Sequence, residues 1–233
     1  MSTSSRVSLG FRLVAEFCVI IVGVLVALQF EGWRDLRRDE AREAEQLEAL
    51  LDDFQSNVSR LEETTLAQRV VLDASDLLLD DFETGRSTRS PSTVSHLFAD
   101  ALSWYAVEPV TGAYDALIAS GDIGLLQSTE LRRRLAEFYG EIAAGFEDHE
   151  NEMDVLALML DESKEVLLGL APEGYGGEDL EGASAEAASL LVANRSLGGL
   201  LGWKILLARN RLRRLEMLAA AADSIVLTIE GSR

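Results

Sequence analysis

The stretch LEALLDDFQSNVSRLEETTLAQRVVL, residues 47–72, decides the fold class of this 233-residue chain. Mostly apolar side chains recur in it at alternating steps of four and three residues. This spacing is typical of the buried seam of a long amphipathic helix. Because neither proline nor glycine occurs between Trp33 and Phe82, we predict a single helix over that length, with the character of a coiled-coil stalk. The seam positions are Leu47, Leu51, Phe54, Val58, Leu61, Thr65, Gln68 and Leu72.

Capping residues mark the turns that follow this helix. In GRSTRSPS, residues 85–92, Ser90 is expected to cap a short helix and Pro91 to take its first position. Pro109 should end that helix. Thr111 is expected to cap a second short helix, which Gly121 should end with a left-handed backbone.

Further helical patterns complete a predicted bundle. Apolar residues recur close to every 3.6 positions over residues 130–169 and 197–229, and a short helix is expected at residues 185–192. The glycine-rich acidic stretch at residues 172–184 is expected to be a flexible linker between bundle helices or a functional loop. The basic run RNRLRR, residues 209–214, is expected to pair with acidic neighbours, with a phosphate site as the alternative. Since no strand pattern is present, we predict an all-α fold, an elongated antiparallel helical bundle.

Composition restricts the classes of function. With 21 Lys and Arg against 40 Asp and Glu, the formal net charge of -19 repels phosphate backbones, so we expect no nucleic-acid partner. A single cysteine, Cys18, cannot form a disulfide within one chain, and two histidines are too few for a His-rich zinc site. No nucleotide-binding loop and no nucleophile motif occurs in the sequence. We therefore expect no cofactor, no metal and no enzymatic activity.

Upstream of the seam lies the apolar run AEFCVIIVGVLVALQFEGW, residues 15–33. It fits three structures: a removable signal, a buried core helix or a membrane anchor. A signal requires a small-x-small cleavage site, which is missing here. A helix on the surface of a soluble core would show a polar face, and this run has none. A spanning helix requires about 20 residues, and residues 13–32 supply that length, so we predict an uncleaved anchor.

The anchor divides the chain into three parts. Residues 1–12 form a short N-terminal tail, residues 13–32 a transmembrane helix and residues 33–233 an acidic α-helical bundle domain. The anchor is expected to continue directly into the first bundle helix. The predicted location is the bacterial inner membrane, crossed once. A short charged tail that is easily retained favours a periplasmic bundle, whereas the larger number of arginines after the run favours a cytoplasmic one.

Five residues are singled out in and beside the anchor. Glu16 and Gln29 lie near its two ends, where polar side chains reach the membrane surface. Trp33 follows at the position of an interfacial aromatic residue. Gly23 and Ala27 are four residues apart and form a small-xxx-small pattern that could contact another span.

Two segments of the chain together form a recognisable pattern. In the first, Glu16 leads the apolar run, which ends in Ala27-Leu28-Gln29 ahead of Trp33. The second is a mid-chain Ala-Tyr-x-x-Leu-x-x-Ser-Gly-x-Ile segment followed by charged residues. Its residues here are Ala113, Tyr114, Leu117, Ser120, Gly121 and Ile123.

With these two segments the chain resembles the DUF6090 family, bacterial membrane-anchored proteins of unknown function. The resemblance implies an uncleaved anchor and no particular activity, because none is established for the family. The usual Asn-Asn before the tryptophan is replaced here by Glu31-Gly32, so no role is assigned to that pair. Tyr114 and Leu117 are expected to pack inward while Ser120 and Gly121 end a helix, which makes the motif a structural corner or a candidate binding site.

The sequence thus favours a membrane-anchored helical scaffold or interaction protein. Its partners would be the lipid bilayer and either another membrane protein or a second copy of the chain, contacted through the anchor or the stalk. One alternative is a sensor-like bundle that binds a small ligand between helices, near Tyr114 and residues 172–184. An enzyme is the remote alternative.

Overall fold

The computed structural model describes residues 4–170 and 184–232. All of the predicted loop at residues 172–184 except Ser184 lies outside them. Within the described ranges the chain forms six α-helices and one short 3₁₀ helix and contains no strand, which confirms the all-α prediction. Side chains are not described at residues 4–16, 18–20, 24, 25, 27, 28, 146–149 and 168–170.

The first helix, α1, runs unbroken over 81 residues, Ser4–Thr84. At 1.5 Å per residue its length is about 120 Å. It ends at Gly85, whose φ of 65° suits glycine. The structure thereby confirms both the long helix predicted from the seam and its continuity with the upstream segment.

Two short helices follow, α2 (Pro91–Leu102) and α3 (Gly112–Ser120). Ser90 caps α2 as predicted, because its hydroxyl accepts the backbone N–H of Thr93. The prediction that Pro109 ends α2 is wrong: the helix stops at Leu102, and residues 103–111 form a segment without regular secondary structure, which we call the connector. A lysine from another helix binds the carbonyls of Ala101 and Ser103 at this end of α2, as described below.

The start of α3 differs from its prediction as well. Thr111 makes no side-chain cap; its hydroxyl donates instead to Asp115. The carboxylate of Asp53, on α1, accepts the backbone N–H of Ala113 at 2.7 Å and takes over the capping. The other end agrees with the prediction, since Gly121 has a left-handed φ of 78°.

After the 3₁₀ helix Asp122–Leu125 come α4 (Thr129–Leu170), α5 (Ala185–Ala193) and α6 (Arg195–Glu230), close to their predicted bounds. Helix α6 runs antiparallel to α1. From Arg69 to Asp76 on α1, the ion-pair partner on α6 moves back along the chain from Glu216 to Arg209. Helix α6 is antiparallel to α4 for the same reason. Helices α1 and α4 therefore run in the same direction, because α2, α3 and the connector return the chain to its starting end. Among the three long helices, α6 is the one that runs antiparallel to the other two.

The buried apolar residues form two clusters along the bundle. The first cluster includes Phe54, Phe138 and Ile225. The second includes Phe98, Met159 and Leu201. On α1 the first cluster ends at Leu61, and the second begins at Leu78. A polar layer, which we define as Thr65, Gln68, Glu152 and Arg211, lies at the level between them.

Candidate functional site

The N-terminal part of α1 is not covered by the rest of the described chain. Every described side chain from Phe17 to Arg42 is exposed, and the first buried residue of the helix is Leu47. The apolar members are open to the surroundings: Val22 is 58% exposed and Phe30 is 61% exposed. A contiguous apolar surface of this kind is unusual on a soluble monomer and marks a site of interaction.

Trp33 lies at the junction between the apolar run and the charged stalk. Its ring is 52% exposed and packs edge-on against Phe30, with ring centroids 6.4 Å apart. The guanidinium of Arg37 lies 4.5 Å from the tryptophan ring. Gln29 is exposed beside them. This junction thus presents an aromatic pair and a cation to whatever surrounds α1.

Glu16, Gly23 and Ala27, the three further residues predicted for the anchor, all lie on α1. An atom added at Gly23 would meet nothing within 4 Å, and the side chains of Glu16 and Ala27 are among those not described. Among the described residues, no single helix is long and apolar enough to cross a membrane. The helix pair Ala185–Ala193 and Arg195–Glu230, bent by 70°, has the length and composition of a membrane span when the two helices are taken together.

The family motif forms a corner between α3 and the bundle. Leu117 is fully buried in the first cluster, and the ring of Tyr114 stacks on that of Tyr139, with centroids 4.0 Å apart and an interplanar angle of 15°. The Ser120 hydroxyl accepts the N–H of Asp122, and the left-handed Gly121 ends the helix. The inward packing expected of this motif is therefore present.

Polar residues of α1 and α4 hold this corner in place. Asn57 is fully buried, and its side-chain amide both donates to the carbonyl of Val110, at 2.9 Å, and accepts its N–H, at 2.6 Å. The Tyr139 hydroxyl donates to the same carbonyl, and burial, aided by the Asp53 carboxylate, raises the pKa of Tyr139. These hydrogen bonds hold the connector against α1.

A cavity of about 590 Å³ lies between α4, α6 and the connector. Its wall is mainly apolar, and its apolar members are contributed by all three segments. They are Trp104, Ala106, Val107, Pro109, Ile142, Leu207, Leu215 and Leu218. A cavity of this size and character suits a small organic molecule.

One side of the cavity carries a buried ion pair. Arg211 donates to Oε2 of Glu152, whose side chain is only 2% exposed. The Arg211 guanidinium also lies 4.8 Å from the ring of Trp104, so it is held between a carboxylate and an aromatic face. The second carboxylate oxygen, Oε1, is buried and has no hydrogen-bond partner among the described residues.

Next to this pair, Lys204 is fully buried on α6. Its ammonium donates to the carbonyls of Ala101 and Ser103, the latter at 3.0 Å, and so satisfies the C-terminal end of α2. Burial lowers the pKa of Lys204 to about 8; the Glu152 carboxylate opposes this shift and the Arg211 cation adds to it. Three charged groups are thus gathered beside the cavity.

Sequence reasoning missed the ion pair, the lysine and the cavity. A signal for Lys204 was present, since it is one of two lysines in the chain and is flanked by Leu201, Ile205 and Ala208 at helical spacing. The expectation that the basic run pairs with acidic neighbours is confirmed for Arg211 and for Arg209, which binds Asp76. In the described part of the chain, no three His, Cys, Asp or Glu residues are grouped to hold a metal ion.

These features define a class: all-α proteins in which a long N-terminal helix, exposed at its described side chains from residue 17 to residue 42, enters a bundle braced by two stacked tyrosines. The model of a family of unknown function, DUF6090, matches residues 16–144, which is more than half of the chain. The protein belongs to the DUF6090 family. The match includes both segments of the resemblance noted in the sequence. Neither the curated proteins nor the solved structures contain a match.

Proposed function

We propose that this protein is a membrane-anchored helical interaction protein. In this proposal residues 13–32 cross a bacterial inner membrane once, and the bundle projects from it, into the periplasm or alternatively into the cytoplasm. The observation that carries the proposal is the uncovered start of α1, where an apolar stretch continues into the bundle helix without a break. The bundle would then serve as the surface that a second membrane protein or a second copy contacts.

The pattern of exposure supports lipid as the cover of this segment. Phe17, Val22 and Phe30 point in three different directions around α1 at about 100° per residue. A single partner helix would cover one stripe, whereas a bilayer surrounds a helix on every side. Each apolar side chain moved out of water contributes about 1.5–3 kcal/mol. Lipid therefore accounts for exposure on all sides in a way that one protein contact does not.

Paired charge substitutions in the full-length chain test the anchor. In Val22→Arg with Val26→Arg, two exposed apolar residues four positions apart become cationic, and each should cost about 3 kcal/mol inside a bilayer. We expect this variant to leave the membrane fraction while its bundle keeps the unfolding midpoint of the wild type. The measurement is membrane fractionation with an alkaline wash, followed by thermal unfolding.

A matched control lies further along the same helix. Leu66→Arg with Val70→Arg changes two residues with the same spacing, 61% and 56% exposed, on the bundle part of α1. This variant should remain in the membrane fraction. Equal release of both variants, or of neither, would count against an anchor at residues 13–32.

A second function is favoured by the cavity: a sensor-like bundle that binds a small ligand. The cavity includes Thr111 at the start of the α3 corner, so it adjoins the region of Tyr114 without including that residue. A screen of metabolites against the full chain should contain one that raises the melting temperature. The rise should disappear in Gly145→Leu, because Gly145 lines the cavity and even an added Cβ lies 3.3 Å from Nη1 of Arg214, so a larger side chain takes space from a ligand. If no metabolite shifts melting, this second function is to be abandoned.

A further inference from the structure

We propose that the cavity between α4, α6 and the connector binds a small molecule that has an apolar body and an N–H or O–H donor, and that this donor bonds to Oε1 of Glu152. The inference rests on the second proposed function and is independent of the membrane anchor. It adds to that function the chemistry of the ligand and the atom that recognises it.

The first argument concerns the hydrogen bonds of Glu152. The side chain is 2% exposed, and only Oε2 is occupied, by Arg211. The buried Oε1 has no partner among the described residues. Buried polar atoms are nearly always paired, and leaving one unpaired is unfavourable. Since a carboxylate paired with arginine only accepts hydrogen bonds, the partner that fits Oε1 is a donor.

The second argument concerns the remaining surface of the cavity. Ile142 on α4, Leu215 and Leu218 on α6, and Val107 on the connector give the cavity apolar walls, beside which Asn210 and Arg214 are polar members of the lining. A volume of about 590 Å³ lies within the range of small-molecule sites, and such sites combine apolar walls with a few placed polar groups. A ligand with one polar end and an apolar body matches this distribution.

The third argument is that the acceptor is held in place before a ligand arrives. Arg211 binds Glu152 on one side and lies against the Trp104 ring on the other. The position of the carboxylate is therefore fixed by two helices and the connector together. Preorganisation of this kind lowers the entropic cost of binding.

Three probes of similar size separate the donor requirement from charge and from apolar contact. They are 2-phenylethylamine, with an ammonium donor, 2-phenylethanol, with a neutral donor, and 3-phenylpropanoate, which only accepts. The full chain is used with Trp33→Phe and Trp203→Phe, two tryptophans that are 52% and 58% exposed, so that fluorescence reports on Trp104. We expect at least one donor probe to shift the emission with an affinity at least about tenfold above that of 3-phenylpropanoate.

Glu152→Gln tests the assigned atom. Arg211 is a donor and will retain the amide oxygen, so the amide NH₂ then takes the position of Oε1. The variant should weaken the donor probe by about tenfold or more and strengthen 3-phenylpropanoate. Glu141→Gln is the matched control: it removes the same charge from an exposed residue of the same wall, and both affinities should change less than about twofold.

Each contrary outcome has a separate meaning. If 3-phenylpropanoate binds as tightly as the donors, or if Glu141→Gln acts as strongly as Glu152→Gln, the donor inference is wrong while a ligand-binding bundle remains. If none of the three probes alters Trp104 emission, the inference is also overturned. The ligand-binding function itself fails only if the metabolite screen, too, produces no rise in melting temperature.

Discussion

The two lengths of α1 differ in what surrounds them. Residues 17–42 and residues 47–82 belong to one unbroken helix, and both carry large apolar side chains. In the second length Phe54 and Leu78 are fully buried, whereas in the first Phe17 is 63% exposed. The helix therefore continues without a break from the exposed length into the packed one. The packing of the bundle can therefore be tested by unfolding, and the role of the N-terminal segment by its association with a membrane.

The largest contrast is expected between two phenylalanines of this one helix. Phe54 packs on Phe138 with ring centroids 5.0 Å apart, so Phe54→Ala should lower the free energy of unfolding by about 3–5 kcal/mol. Phe30 contacts no bundle residue among those described, and Phe30→Ala should leave bundle unfolding unchanged. Denaturant unfolding of the full chain in detergent, followed by circular dichroism, measures both. Similar losses of unfolding free energy in the two variants would contradict the difference between the exposed and the packed length of α1.

The next effect is a pH dependence that originates at Lys204 within the packed length of the bundle. Its folded pKa of about 8 lies below the unfolded value of about 10.4. Between these values the unfolded state binds more protons, so the lysine makes stability rise with pH by up to about 1.4 kcal/mol per unit. Lys204→Met lacks this contribution. Using the difference between wild type and variant cancels other groups that titrate, such as Tyr139.

The measurement is therefore the unfolding free energy of both proteins from pH 7 to pH 10. The wild type should gain stability relative to Lys204→Met above pH 8. Glu152 and Arg211 are the charged groups that act on the pKa of this lysine. A difference that stays constant with pH would show that Lys204 is not desolvated as described.

A smaller effect is expected where α1 caps α3. Asp53→Ala removes the acceptor for the N–H of Ala113 and should cost about 1 kcal/mol. Asp52→Ala, one position earlier and exposed, should cost almost nothing. Thermal unfolding of the two variants decides between them. Equal effects would mean that α3 does not need the cap supplied by α1.

The smallest effect compares two adjacent glycines of α6. A Cβ at Gly198 would lie 3.2 Å from Cβ of Phe82, an atom near the backbone that cannot easily move. A Cβ at Gly199 would meet nothing within 4 Å, so Gly199→Ala should raise stability by up to about 1 kcal/mol through helix propensity. Gly198→Ala should show no such gain. Equal gains at both positions would contradict the close approach of α6 to the packed length of α1.

The sequence predicted the helices well because spacing reports which side of a helix is buried. The long helices, the caps at Ser90 and Gly121 and the weak middle of the seam followed from local pattern alone. Asp53 and Asn57 were not assigned, since their partners are more than 50 residues away and no local pattern reveals them. The cavity was missed for the same reason: it exists only because the connector is placed across α4 and α6.

Thiol labelling measures directly whether lipid covers the N-terminal part of α1, as the membrane anchor requires. Cys18 is the only cysteine of the chain and lies within the apolar run, so the native protein needs no other substitution for thiol labelling. In lipid nanodiscs, whose two faces are both open to solvent, a charged maleimide should leave Cys18 unmodified until detergent is added. Ser56→Cys in a Cys18→Ser chain, at an exposed position of the packed length, should react at once. Equal labelling of the two sites in intact nanodiscs would contradict the membrane anchor.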